Sequence, residues 1–95
     1  MQTITGTFVK ALPVTQGDSQ RGHWYRGGFI IKFGEEITRH AAFTTFDTAT
    51  LRQLELLAPG ITVSVSYQPE SREHEGRWYT ELRCFSVTPV NNNQQ

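Results

Sequence analysis

Cys84 is the only cysteine in the chain, so no intramolecular disulfide can form and no zinc-binding set can be completed. An isolated cysteine of this kind is expected to behave as a small buried hydrophobe. An excess of charge of one sign is also missing, because nine Lys and Arg balance nine Asp and Glu for a formal charge of zero. That balance excludes a strongly basic nucleic-acid binder or an acidic mimic as a bulk property, and any such binding must come from a local patch. No apolar run approaches the roughly 18 residues of a membrane span, and the opening MQTITGTFVK has no basic region followed by an apolar stretch. The expectation is a cytoplasmic protein without membrane contact.

Catalytic signatures are absent as well. There is no Gly-rich loop followed by Lys and Ser or Thr, no His pair at i and i+4, and no serine in a nucleophile elbow. His23, His40 and His74 are widely separated and each reads as a lone surface histidine. The expectation is a protein that is not an enzyme and carries no metal and no small-molecule cofactor.

What is present is enough apolar material for one core: 37% hydrophobic and 12% aromatic residues in 95. This length fits one domain, expected over residues 1–90, with a polar, flexible tail over 91–95. Residues 3–14 have the pattern of a strand with an irregularity near the middle, which suggests a bulged or strongly bent first strand. The polar, glycine-containing run 15–22 has the composition of an exposed loop. Residues 23–33 form the next strand, with Phe29, Ile31 and Phe33 on one face and Trp24, Arg26, Gly28, Ile30 and Lys32 on the other. A tight connection at Gly34 and Glu35 leads to a third strand over 36–46. There Ile37, Ala41 and Phe43 share one parity, and Thr38, His40, Ala42 and Thr44 the other.

Asp47 or Thr48 can cap a helix whose Leu51, Leu54 and Leu57/Ala58 follow at helical spacing, before Pro59 and Gly60 stop it. At about three turns it is short enough to plug one end of a sheet structure. Ile61, Val63, Val65 and Tyr67 then alternate with polar residues in a half-buried strand. The charged stretch 70–76 joins it to a last strand over 77–88, which carries apolar groups on both faces and so implies deep burial or a bulge. Strand, strand, strand, short helix, strand, strand is the order of a five-stranded OB-fold Greek-key barrel, an all-β class in which closure removes exposed edges. Periodicity alone leaves open a five-stranded sheet covered by one helix.

Ile4-Thr5-Gly6, the segment 43–47, Glu70-Ser71-Arg72-Glu73, Gly76-Arg77-Trp78-Tyr79-Thr80 and Leu82-Arg83 together carry a resemblance to a family of small bacterial domains of unknown function. That family looks like the single-stranded-DNA-binding branch of the OB-folds. The resemblance spans nearly the whole chain, and its distinctive part is the hairpin motif. It implies an OB-fold and, with less force, nucleic-acid binding, since a fold does not fix a function. Proteins of that type commonly end in an acidic tail that recruits partners, and Asn91-Asn92-Asn93-Gln94-Gln95 departs from it.

The outward face of the second strand sets Trp24, Arg26 and Lys32 at two-residue multiples. Gly27 and Gly28 lie between them, where another backbone or a flat ring could approach closely. Single-stranded nucleic acid needs such a mixture, an aromatic plane for a base and cations for phosphates. A second reading makes Trp24 a partly buried anchor under the first loop. His40 on the third strand flanks the same surface. In the hairpin 70–79, alternating charges suit cross-strand ion pairs, or else Arg72, Arg77 and Trp78 grip a strand across the barrel mouth. Glu70, Glu73, Glu75 and Glu81 in that region would repel phosphate.

The expected function is binding of single-stranded DNA or RNA, more in keeping with DNA, without strict sequence preference. Trp24 and Trp78 would stack bases, and Arg26, Lys32, Arg72, Arg77 and Arg83 would neutralise phosphates. A homo-oligomer is expected because one small barrel covers only about 4–16 nucleotides. The alternative is an OB-fold protein-interaction or self-assembly module that binds no nucleic acid.

Overall fold

The side chains that leave water define a single interior: Phe8, Phe29, Ile31, Phe43, Val63, Val65, Cys84 and Val87 are buried together, with Leu54 of the helix closing over them. The computed structural model describes residues 1–90. They form β1 (Gln2–Ser19), β2 (Gly22–Phe33), β3 (Arg39–Thr45), α1 (Thr48–Leu54), β4 (Thr62–His74) and β5 (Arg77–Pro89). The strands close into a barrel in the order β1-β2-β3-β5-β4. This is the OB-fold arrangement, and the open sheet is overturned. Closure rests on a short parallel seam in which only Phe43 and Thr44 of β3 pair with Leu82 and Arg83 of β5. The 91–95 tail lies outside the described residues.

At the centre of the interior Phe43 stacks on Phe29 with ring centroids 5.2 Å apart, while Tyr67 meets Phe43 edge-on at 5.3 Å. Aromatic pairs at such distances add to the stabilisation from buried area. The β1 bulges fall between Phe8 and Lys10 and between Leu12 and Thr15. They let one strand pair with β4 over its first residues and with β2 over the rest. A third bulge sits in β5, where Ser66 faces Ser86 but Tyr67 faces Cys84, leaving Phe85 unpaired. It explains the apolar residues on both faces of β5: Cys84 and Val87 both point inward, and Phe85 is extruded to the surface.

Several sequence expectations need correction. Residues 15–19 are not a loop but the outer half of β1, paired with Gly22 to Arg26. Short polar residues are no obstacle in a two-stranded ribbon exposed on both faces. The hairpin 70–77 is likewise a continuous ribbon, turned at Glu75 and Gly76, both with positive φ (51° and 84°). That is the backbone a two-residue hairpin turn requires to match strand twist. β3 starts at Arg39, so Ile37 lies before it and is exposed. The helix has seven residues, about two turns. Asp47 caps its start, accepting from the Thr50 backbone N–H at 3.2 Å and the Thr50 hydroxyl at 2.8 Å. Leu57 reaches the core from the turn after the helix, where the Gly60 N–H donates to the Phe8 carbonyl at 2.8 Å.

Burial pushes the Cys84 thiol up to about 11, so little thiolate exists at neutral pH. Native protein at pH 8 should resist iodoacetamide and become fully alkylated only in denaturant, as read by mass spectrometry. Rapid native labelling would mean the β4/β5 side of the barrel opens readily.

Candidate nucleic-acid interface

The two ribbons leave the barrel beside the β3/β5 seam, and their bases are joined by one carboxylate. Glu81 of β5 accepts from the Arg26 guanidinium of β2 at 2.8 Å and from the Thr44 hydroxyl of β3 at 3.0 Å. Its other oxygen accepts from Arg72 of β4. The Arg26 bond holds the Glu81 carboxyl below its ordinary value of 4.5; the Thr44 hydroxyl and the charge of Arg72 act the same way, against the partial desolvation of the site. Arg83 donates to Glu70 at 3.0 Å. Phe46, just past the end of β3, has the Arg83 guanidinium 4.6 Å and the Arg26 guanidinium 6.0 Å from its ring centroid. These are distances at which a cation is attracted to a ring face.

Trp24, Arg26, Phe46, Arg72 and Glu81 line a shallow cleft of about 330 Å³. The Trp24 indole lies on Gly17, its cross-strand partner, so closely that a Cβ there would come within 2.6 Å of the ring. The ring is thus packed on its own hairpin yet remains 38% exposed. One side of the ring is seated on the hairpin, as the anchor reading expects, and the rest borders the cleft. Chemically the cleft offers two aromatic rings, with guanidinium groups that already make charge-assisted bonds to carboxylates.

The sequence-derived residues do not all meet here. Arg26, Arg72 and Trp24 line the cleft, and Arg83 reaches it through Phe46. Lys32 is six residues along β2 from Arg26, about 20 Å at strand rise. It faces His40 across the ladder and borders a separate hollow of about 280 Å³. Arg77 lies near the ribbon tip, its guanidinium 5.9 Å from the Tyr79 ring centroid. The register puts Arg72, Tyr79, Glu81 and Arg83 on one face of the ribbon and Glu73, Trp78 and Thr80 on the other. Trp78, 68% exposed, is thereby turned away from Trp24. Gly27 and Gly28 of β2 admit parts of the protein itself: a Cβ on Gly27 would meet Leu51, and one on Gly28 would meet the Phe43 carbonyl.

Two residues escaped the sequence reading. Phe46 continues the outward series His40, Ala42, Thr44 by one more step of two, a signal that was available. Glu81 reads from sequence as a repellent of phosphate, whereas the fold makes it the partner of two arginines 9 and 55 residues away.

The barrel is similar over nearly its whole length to solved single-stranded-DNA-binding proteins. One is Rim1, the mitochondrial protein from S. cerevisiae, with a TM-score of 0.72, 18% identity, and coverage of 97% of this chain and 96% of that one. A second is the small single-stranded-DNA-binding protein from Streptomyces coelicolor, with a TM-score of 0.58, 12% identity, and coverage of 99% and 94%. At these identities the likeness establishes the fold. No curated protein sequence matches the chain. The model of one family, described as a domain of unknown function (DUF3127), matches residues 3–88, and the chain belongs to that family.

Proposed function

We propose that this domain binds single-stranded nucleic acid, with DNA as the leading ligand, without strict sequence preference, and that it does so as a non-enzymatic cytoplasmic protein. The observation that carries the reading is the cleft, where Trp24 and Phe46 lie among Arg26, Arg72 and Arg83 at the junction of the two ribbons. Bases stack on exposed rings with little regard to sequence, and guanidinium groups follow the phosphates. The outer face of β2 continues from this cleft past Gly28 and Ile30 to Lys32 beside His40, a path of about 26 Å from Trp24 at strand rise. The shared fold of Rim1 and the S. coelicolor protein, both single-stranded-DNA-binding by name, is consistent with this use.

A homo-oligomer belongs to the proposal. Beyond Phe8, β1 has a ladder partner only in β2 among the described residues, so its other edge offers backbone groups to a second copy. One further observation favours a protein-interaction or self-assembly module instead: Arg26, Arg72 and Arg83 are each paired with a carboxylate.

Salt separates the two. Fluorescent oligo-dT of about 30 nucleotides should bind at micromolar or tighter concentration by anisotropy, weaken steeply between about 50 and 200 mM salt, and be displaced only poorly by duplex of equal length. No binding at low salt would transfer the assignment to the interaction module.

A further inference from the structure

The arginines of the cleft are not free cations waiting for an anion. Glu81 presents one oxygen to Arg26 at 2.8 Å and the other to Arg72, and it is further fixed by the Thr44 hydroxyl at 3.0 Å. Glu70 holds Arg83 at 3.0 Å. A two-oxygen anion between guanidinium forks is the arrangement a phosphodiester also adopts, through its two non-bridging oxygens. The Glu81 side chain is only 19% exposed, borders the closing seam of the barrel and is held by three donors, Arg26, Arg72 and Thr44. A phosphate entering the cleft must share or take these arginines.

We propose that Glu81 and Glu70 are built-in phosphate surrogates, which keep Arg26, Arg72 and Arg83 ordered and restrain the affinity of the cleft for the nucleic-acid backbone. This rests on the nucleic-acid reading and adds its regulation: binding is an exchange of carboxylate for phosphate. The exchange also accounts for a nucleic-acid site on a chain of zero net charge. Bases on the rings supply attraction that the masked arginines withhold. If the carboxylates were instead aids that aim the arginines at phosphate, their neutralisation would weaken binding, so the sign of the effect discriminates.

The test compares Glu81→Gln and Glu70→Gln with the unmodified protein, using the same oligo-dT across salt. Glu81→Gln should bind about fivefold tighter at about 50 mM salt, and its log–log salt slope should steepen by about 0.7 for each arginine released. Glu70→Gln should gain about twofold, with one arginine released. Because Glu70 lies on β4, outside the β3/β5 pairing of the seam, that variant still decides the matter if Glu81→Gln loses its circular dichroism signal. Unchanged or weaker binding by a folded variant, while the unmodified protein binds, overturns the surrogate role and leaves the nucleic-acid reading standing. Absence of binding by all three proteins overturns both.

Discussion

Trp24→Ala should weaken oligo-dT binding by about one to two orders of magnitude. Loss of one stacked base costs about 1–3 kcal/mol, and each 1.4 kcal/mol or so is a factor of ten. The fold should survive, because the indole packs on Gly17 of an exposed ribbon rather than in the core. Trp24→Phe should keep most of the affinity, since a phenyl ring still offers a stacking face. Trp78→Ala should cost no more than about threefold, because Trp78 stands on the face of its ribbon opposite Arg72, Glu81 and Arg83. Anisotropy titrations of the three variants, with thermal melts as controls, check all of this. Full affinity in folded Trp24→Ala would remove the cleft from the interface.

The contrast between the two tryptophans also shows where reading a sequence stops. Strand order, the helix and the inward parity of Phe29, Ile31 and Phe43 were legible, because burial imposes a period of two on residues that are neighbours along the chain. Arg26 and Arg72 could be picked out as cations, but their meeting on Glu81 depends on the barrel closing, and no local pattern encodes a contact across 55 residues. The face of Trp78 was illegible for a subtler reason. Counting back by twos from Val87 gives the wrong face for every residue before the Phe85 bulge. Composition misled at residues 15–19, where glycine and short polar side chains fit a loop and a solvent-exposed ribbon equally well.

Gly28→Ala should be the most damaging small substitution in the sheet. A Cβ at this position would lie 2.1 Å from the Phe43 carbonyl oxygen and 3.2 Å from its carbon. The obstacle is backbone of the neighbouring strand, so β3 itself must move, and β3 carries both Phe43 and the short seam to β5. Overpacking of this kind costs about 3 kcal/mol or more. For a domain of this size that lowers the melting temperature by about 12–24 °C. Gly27→Ala is the control: its Cβ would meet the Leu51 side chain at 2.5 Å, which can rotate aside, so the loss should be much smaller. Thermal unfolding followed by circular dichroism reads both. A Gly28→Ala protein melting within a few degrees of the parent would contradict the close approach of β2 and β3.

The unpaired Phe85 decides which length changes β5 can absorb. Between Arg77 and Cys84, adding or removing one residue inverts every side chain beyond it, burying Glu81 and Arg83 or turning Leu82 outward. Removing Phe85 itself does not, because Cys84 then takes the inward place next to Ser86 and the strand becomes regular with its faces unchanged. Related chains can therefore gain or lose residues in this arm only in pairs, or singly at position 85, if their arginines are to stay on the cleft side.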